Sequence, residues 1–188
     1  KPTKEQAQAL IRAIKDTPDT AARWALGLAL DQTLLNNPSI KLSIDDARDL
    51  IEAIKDTPDT AARWVLGLAL GQAASNNPEL VRVIIEAIKD TQDSDIRPHL
   101  TDSLTAALKS GRLPSGEAEE ILRLVYQVLG ENEAKEAAKE YLTSKEGNNL
   151  HGHRIDEAGN DWALILGDTP VDWTKDEYKQ YLDLYLEA

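Results

Sequence analysis

The chain of 188 residues carries 21 Lys and Arg against 33 Asp and Glu, a formal net charge of −12, and 41% of its residues are apolar. Such a negative field repels nucleic-acid phosphates and anionic membrane surfaces, whereas it attracts a basic protein or peptide. No apolar run approaches the roughly 20 residues of a membrane span, no secretory signal is visible, and the absence of cysteine excludes disulfides. We therefore expect a cytoplasmic globular protein that binds neither nucleic acid nor membrane.

The chain contains a long internal repeat. Residues 10–30, LIRAIKDTPDTAARWALGLAL, return as residues 50–70, LIEAIKDTPDTAARWVLGLAL, with changes only at positions 12/52 and 25/65. A period of this length predicts stacked supersecondary units. Met and Phe are also absent, so two origins fit the sequence: a designed, consensus-built or engineered chain, or a recently duplicated natural gene of biased composition.

The first unit, about residues 4–38, is predicted to be two helices joined by a short turn. Thr3 is the expected cap of a helix that ends near Lys15, and a second helix covers residues 20–35. The turn between them, Asp-Thr-Pro-Asp, supplies capping oxygens and a proline that a first helical turn tolerates. The second helix is apolar on two sides, so we expect neighbours to cover both, as for the inner helix of a stacked pair.

Three further units follow, at about residues 43–78, 79–111 and 115–146. The predicted helices cover residues 43–55, with Ser43 and Asp46 as a capping box, and residues 60–75, 79–89, 97–110, 115–129 and 132–143. The apolar positions that recur at helical spacing predict a core that includes Leu26, Leu30, Ile51, Ile54, Leu66, Leu70, Ile84, Ile88 and Leu104.

Within these units an Asp-rich turn precedes a small or branched apolar residue and Arg, and Ala-Leu-Gly follows along the same helix. This order resembles the HEAT repeat. Unit two has Ala62-Arg63 and Ala69-Leu70-Gly71, unit one keeps Arg23 but has Asp31 in place of the glycine, and unit three keeps only Ile96-Arg97. The resemblance covers about residues 4–110 and implies an all-α fold, a right-handed α-solenoid of antiparallel helix pairs that serves as a protein-binding scaffold.

The resemblance also implies contacts between units. In that family the turn Asp and the helix Arg form a ladder, and three Asp/Arg pairs here have i, i+4 spacing: Asp19/Arg23, Asp59/Arg63 and Asp93/Arg97. Trp24 and Trp64 occupy equivalent positions, either as core packing or as an aromatic strip on the inner surface that a partner can reach. The candidate binding residues are therefore Trp24, Trp64, Arg23, Arg63 and Arg97.

Residues 148–188 differ from the preceding residues 1–147. They read as an irregular segment followed by a helix over residues 174–186, and they hold five of the nine aromatic residues. Because the last unit of a solenoid exposes an apolar face, we expect this aromatic-rich segment to cap the stack. The alternative is that it fills the groove past Trp24 and Trp64.

The sequence contains no set of nucleophile, base and orienting residue at defined spacing, so we expect no enzyme and no cofactor. His151 and His153, with Asp156 or Glu157, lack a third ligand at fixed spacing, so we expect no metal. The function predicted is a monomeric, non-catalytic scaffold whose groove binds a basic protein or peptide. The alternatives are an inhibitor or immunity-type protein that binds a basic partner through its acidic surface, and, less favoured because the chain is acidic, a HEAT-like DNA glycosylase-type enzyme.

Overall fold

A computed structural model describes residues 1–110, 113, 115–130, 132–134 and 137, and three short strands farther along the chain. Contacts divide the chain into two compact units, Lys1–Ala107 and Leu108–Ala188. The predicted boundary between residues 147 and 148 lies outside the described residues and stays a prediction.

The compact unit Lys1–Ala107 consists of helices joined by short turns, and the last of them runs two residues past Ala107. They are α1 (Lys4–Asp16), α2 (Thr20–Asn36), α3 (Ile44–Asp56), α4 (Thr60–Asn76), α5 (Glu79–Asp90) and α6 (Arg97–Lys109). The predicted ends of α1 to α5 differ from these by at most one residue. Turn residues and caps in the sequence therefore fix where each helix begins and ends.

Two capping boxes begin helices of the same layer. At α1, the Thr3 Oγ1 accepts a hydrogen bond from the Gln6 backbone N–H at 3.2 Å, and the Gln6 side chain accepts one from the Thr3 N–H at 2.9 Å. Ser43 and Asp46 repeat this pair at α3, with the same two distances. Each box satisfies donors that have no partner inside the helix, as the sequence predicted for α3.

The helices contact one another in the order of the repeat. In one layer α1 contacts α3 and α3 contacts α5, and in the other α2 contacts α4. Gly67 and Gly71 of α4 then lie against the backbone of α6. Within each of the first two repeats the two helices also contact each other, α1 with α2 and α3 with α4. This neighbour-to-neighbour packing is compatible with a helical repeat.

The predicted core is confirmed at every position but one. The buried residues are Leu30, Ile51, Ile54, Leu66, Leu70, Ile84, Ile88 and Leu104. Leu26 is only partly buried, although its repeat equivalent, Leu66, is fully buried. The reason is position in the stack: α4 lies between α2 and α6, whereas the outer side of α2 has no neighbour among the described helices. α2 contacts α1 and α4, but Trp24 and Leu28 stay exposed, so the expectation that neighbours cover both of its apolar sides is wrong for this strip.

Gly71 marks the closest approach of two helix backbones. A Cβ atom at this position would lie 2.6 Å from the Ser103 carbonyl oxygen and 2.8 Å from the Ala106 Cβ. Only glycine leaves room for such an approach. Gly67, one turn earlier, faces the His99 carbonyl oxygen at 3.1 Å in the same way. The glycine of the Ala-Leu-Gly motif thus sets the spacing between α4 and α6.

The first helix that lies wholly within Leu108–Ala188 is α7 (Ser115–Leu129), whose ends match the prediction. Gly130 stops the helix at φ +99°, a conformation that glycine adopts readily. Its N–H donates to the Val125 carbonyl at 3.2 Å and to the Tyr126 carbonyl at 3.1 Å. Residues 132–134 and 137 are helical, and the rest of the predicted helix at 132–143 lies outside the described residues.

The strands form a small antiparallel sheet in the order β1-β2-β3: β1 (Arg154–Ile155), β2 (Trp162–Leu166) and β3 (Thr169–Val171). The all-α class holds for residues 1–110, but this sheet lies where an irregular segment was predicted. Leu166 pairs with Thr169. The two residues between them in the sequence, Gly-Asp, are a hairpin signal that the prediction missed, and they lie outside the described residues. The predicted helix at 174–186 and its capping contacts lie outside the described residues.

Candidate binding surface

The two tryptophans of the repeat are exposed. Trp24 keeps 44% and Trp64 keeps 52% of its surface accessible, so the core-packing interpretation is wrong. Each is the fifth residue of its helix, α2 or α4, and the two helices are in contact. Adjacent packed helices are about 8–10 Å apart, and two exposed indoles at equivalent positions of such helices are compatible with the alternative interpretation. An aromatic strip that a partner can reach stays a prediction.

Arg23 lies in the interior of the stack. It is 7% exposed, its Nε donates to the Thr17 carbonyl at 2.7 Å, and its Nη1 donates to the Thr57 Oγ1 at 2.9 Å. The first bond holds the turn of its own unit and the second reaches the turn of the next. The Thr57 hydroxyl in turn donates to the Ala53 carbonyl at 2.6 Å. A side chain engaged in this way joins two units rather than facing a partner.

Arg63 and Arg97 continue this series with fewer bonds. The Arg63 Nε donates to the Thr57 carbonyl, which is the equivalent of the bond from Arg23 to Thr17. The Arg97 Nε is buried without a hydrogen-bond partner, at the diverged third turn. The candidate site therefore divides. The tryptophans are on the surface, whereas Arg23 joins two repeats through Thr57, Arg63 bonds to the turn of its own repeat, and the Arg97 Nε is buried.

These contacts differ from the ladder that the HEAT resemblance implied. Asp19 and Asp59 do not pair with the arginines; they cap helices, with the Asp19 Oδ1 accepting from the Ala21 N–H at 3.1 Å and the Asp59 Oδ2 from the Ala62 N–H at 2.8 Å. Capping supplies a local partner for each carboxylate at the positive end of a helix dipole. Arg23 and Arg63 bond instead to threonine oxygens.

Three exposed carboxylates lie at the ends of the helices of one layer, just before the turns to the other layer. Asp16, Asp56 and Asp90 are the last residues of α1, α3 and α5, and all three are exposed. The negative end of the helix dipole disfavours an acidic residue there by about 0.3–1 kcal/mol. Their repetition in three units is thus not explained by helix stability. In the sequence each of these helices ends in Lys-Asp, which indicates the repeated carboxylate. The sequence analysis interpreted the aspartates of the turn only as capping residues.

Each of the first two repeats carries one of these three aspartates and one tryptophan. Asp16 and Trp24 are eight residues apart in the first repeat, and Asp56 and Trp64 are eight residues apart in the second, on either side of the turn between the two helices. We name this combined surface, made of Trp24, Trp64 and the three terminal aspartates Asp16, Asp56 and Asp90, the tryptophan–aspartate surface.

A surface cleft of about 620 Å³ lies at the beginning of α3. It is lined by Lys4, Lys41, Leu42, Ser43, Ile44, Asp45, Arg48, Asn77 and Glu79. The cations are offset by Asp45 and Glu79, and the Arg48 Nη1 lies 3.7 Å from Asp45. The helix terminus is already capped by its own box. This cleft is therefore not arranged to bind an anion.

The chain matches no protein-family model, and searches against curated proteins and against solved structures find no match. The resemblance to the HEAT repeat rests on the motif residues and on the neighbour-to-neighbour packing. None of the helices in the described residues has the length and apolarity needed to cross a membrane. Across the same residues no three His, Asp or Glu side chains converge as a metal site, and His151 and His153 lie outside them.

Asp31, which replaces the motif glycine in unit one, is a buried carboxylate. It is 8% exposed, and its described hydrogen bond comes from the Gln32 Nε2 at 3.3 Å. Burial raises the pKa of this carboxyl above its usual 3.8, and the bond from Gln32 lowers it in part. Because the folded state holds the proton more tightly than the unfolded one, Asp31 stabilises the fold at acidic pH and loses this effect as the pH rises.

His99 has the opposite pH dependence. Burial lowers its pKa from the usual 6.5; the carboxylate of Asp102 opposes this shift, the Arg63 cation adds to it, and Asp95 opposes it. Its Nδ1 is buried without a hydrogen-bond partner. Below about pH 6.5 the imidazole of the unfolded chain takes up a proton that the folded chain resists. The free energy of unfolding therefore decreases as the pH is lowered.

We expect a His99→Gln variant to lose this part of the pH dependence. The urea midpoint of the unaltered protein should decline more steeply between about pH 7 and pH 5 than that of the variant. Parallel midpoint curves would show that His99 is solvated like an unfolded histidine.

Proposed function

We propose that the protein is a non-catalytic scaffold that binds a basic protein segment on the tryptophan–aspartate surface. The observation that carries this proposal is the exposure of Trp24 and Trp64 at equivalent positions of two packed units. Exposed indoles of this kind are typical anchors of protein interfaces, where tryptophan is enriched among the residues that contribute most binding energy.

The spacing of the strip suits an extended peptide. Two helices about 8–10 Å apart present their indoles at about the distance that three residues of a polyproline II segment cover, at 3.1 Å per residue. A cation placed over an indole face gains about 0.5–1 kcal/mol at an exposed site. The neighbouring aspartates then supply the opposite charge for the remaining Lys or Arg side chains of the partner, which favours fast association.

We propose further that the helix pairs stack as a right-handed solenoid. Stacked helix pairs with a constant sense of rotation would place α2, α4 and α6 along one groove, and the aromatic strip would lie in it. In the same proposal, the aromatic residues after 161 cover the last unit. Support for both comes from the repeat period and from the need of a helical stack for a covered end.

Titration with a short unstructured peptide rich in arginine and proline tests the proposal. We expect a double variant, Trp24→Ala with Trp64→Ala, to weaken binding at least about tenfold in calorimetry, since each anchor contributes on the order of 1–2 kcal/mol. The matched control is Leu35→Ala, an exposed residue at the other end of α2, which should leave binding unchanged. A peptide of the same length with glutamate for arginine should not bind.

The aspartates are tested separately. Asp16→Asn, Asp56→Asn and Asp90→Asn should each raise the free energy of unfolding by about 0.3–1 kcal/mol, because each removes charge from a negative helix end. Together they should slow association with the basic peptide and reduce its salt dependence. A triple variant that binds as fast as the unaltered protein would remove the acidic row from the proposal.

The second candidate is an inhibitor or immunity-type protein that covers a basic partner with its acidic surface. The row of Asp16, Asp56 and Asp90 favours it, because all three carboxylates are exposed. The two candidates differ in what dominates binding. Loss of affinity in the aspartate triple variant together with full affinity in the tryptophan double variant would favour this candidate over the scaffold.

A further inference from the structure

The contact between α2 and α4 and the contact between α4 and α6 share one register. A Cβ atom on Gly27 of α2 would lie 3.1 Å from the Val65 Cγ1, and one on Gly67 of α4 would lie 3.1 Å from the His99 carbonyl oxygen. The two glycines are equivalent residues of the repeat, and Val65 and His99 each follow the arginine of their helix by two positions. Neighbours across one contact therefore predict neighbours across the other.

The same register places Asp31 of α2 beside Gln72 of α4. In the contact of α4 with α6, a Cβ atom on Gly71 would lie 2.8 Å from the Ala106 Cβ. Asp31 is the equivalent of Gly71, and Gln72 is the equivalent of Ala106, because each follows the arginine of its helix by nine positions. Where one contact has two small residues, the other has a carboxyl group and a carboxamide.

Asp31 lies within the contact and not at its end. The Gly27 contact is one helical turn before it, and three residues after it the Leu34 carbonyl accepts a hydrogen bond from the Asn76 Nδ2 at 3.0 Å. Asp31 itself is 8% exposed. A carboxyl group at this place is largely removed from water, which disfavours its charged form.

A neutral Asp31 has a donor to offer, and Gln72 lacks one. The Gln72 Oε1 is buried and accepts no hydrogen bond, which is costly for a buried acceptor. The described bond of Asp31 is one that it accepts, from the Gln32 Nε2 at 3.3 Å, so a carboxyl proton remains free to be donated. Burial raises the pKa of Asp31 above its usual 3.8, so the neutral form persists to a higher pH than in the unfolded chain.

We propose that Asp31 forms a proton-dependent contact between the first two repeats, in which its neutral carboxyl group donates a hydrogen bond to the Gln72 Oε1. Loss of the proton breaks this bond and leaves a buried negative charge beside an acceptor oxygen. Deprotonation thus loosens the first repeat, α1 with α2, from the second. The inference concerns how the repeats are held together and does not depend on the peptide binding proposed above.

Charged side chains of the packed helices do not act on Asp31. Its raised pKa is caused by burial and opposed by the bond from Gln32, with no charged group among the causes. α4 has a single ionisable residue, Arg63, near its beginning, and Arg23 of α2 is engaged with the turns of both repeats. The ionisable residues of α1, which also contacts α2, are all exposed: Lys4, Glu5, Arg12, Lys15 and Asp16.

The ¹³C chemical shift of the Asp31 carboxyl group, followed during a pH titration, measures its proton affinity. In Gln72→Met the side chain keeps its length but loses its strong acceptor, so proton binding should weaken about three- to tenfold, the effect of one lost hydrogen bond. Gln32→Met, at the equivalent position of α2, is the matched control. It removes a donor to the charged carboxylate, so proton binding should strengthen.

Unchanged or tighter proton binding in Gln72→Met would overturn the proposal. Burial alone, or an amide turned so that its Nε2 donates to the carboxylate, would then account for the titration. An Asp31 that titrates at or below the usual 3.8 would overturn it as well.

Asp31→Asn gives a second measurement that does not rely on the glutamine variants, because its neutral amide donates to the Gln72 Oε1 at every pH. In the unaltered protein, amide hydrogen exchange of α1 and α2 relative to α5, corrected for intrinsic rates, should accelerate about three- to tenfold as the pH rises through the Asp31 titration. In Asp31→Asn the ratio should stay constant. A ratio that is constant in both proteins would show that the proton does not hold the first repeat and would overturn the proposal.

Discussion

Replacing Leu66 by alanine should destabilise the protein by about 2–5 kcal/mol. Leu66 is 0% exposed, and its Cδ2 lies 3.1 Å from the place that a Cβ atom on Gly27 would occupy. It therefore fills space between α2 and α4, where truncation removes apolar contacts and leaves a cavity in packing that cannot fully relax. Urea unfolding followed by helical circular dichroism measures the loss.

Leu26→Ala is the matched control, because the two leucines occupy the same position of nearly identical sequences. Leu26 is partly buried at the outer side of the stack, so solvent can fill the space that its side chain leaves. We expect it to cost less than half as much as Leu66→Ala. Equal losses in the two variants would mean that the outer side of α2 is covered in solution, and they would contradict the stacking order described here.

Replacing Gly71 by aspartate should cost about 3 kcal/mol or more. This change gives unit two the residue that unit one has at position 31. Forcing a side chain against the Ser103 carbonyl oxygen, at 2.6 Å from the Cβ position, costs about 1–3 kcal/mol by itself. A carboxylate beside that carbonyl adds the penalty of burying an unpaired charge.

Alanine variants separate the two contributions. Gly71→Ala should cost about 1–3 kcal/mol although alanine favours helix by about 1 kcal/mol over glycine. Gly27→Ala is the control, because its Cβ would meet side-chain atoms of Val65 and Leu66 at 3.1 Å, which can rotate away, and we expect little net change. A Gly71→Ala variant as stable as the unaltered protein would show that α4 and α6 do not approach closely.

Local signals in the sequence were sufficient for the helices. Thr3 and Ser43 cap α1 and α3 as predicted, and Asn36 and Asn76 end α2 and α4. These features depend on a few adjacent residues, since capping and chain reversal are decided within one helical turn. They do not depend on how the units are stacked.

Exposure at the end of the stack could not be predicted from the same signals. Ala25 and Val65 have nearly identical neighbours in sequence, yet one is exposed and the other is buried. The difference arises within the layer of α2, α4 and α6: α4 has a helix of this layer on each side, whereas α2 contacts only α4 among the described helices of the layer. Trp64 is exposed although α4 has a helix on each side, so the exposure of the two tryptophans depends on which side of the helix they occupy and could not be predicted from their apolar character.

The arginine contacts required three-dimensional neighbours. An i, i+4 spacing allowed Asp19 to pair with Arg23, but Asp19 caps α2, and Arg23 reaches Thr57 of the next unit. A contact between residues 34 positions apart has no local sequence signal. The repeated threonine of the turn was the available hint, because a buried hydroxyl is usually hydrogen-bonded.

The indole N–H signals of the four tryptophans test the binding surface most directly. In a two-dimensional ¹H–¹⁵N spectrum, each can be assigned by a single Trp→Tyr replacement and followed during titration with the arginine- and proline-rich peptide. If the peptide binds on the tryptophan–aspartate surface, we expect saturable shifts of the Trp24 and Trp64 signals and unchanged Trp162 and Trp173 signals. Shifts confined to Trp162 and Trp173, or no saturable shift of any of the four, would contradict a binding role for the strip.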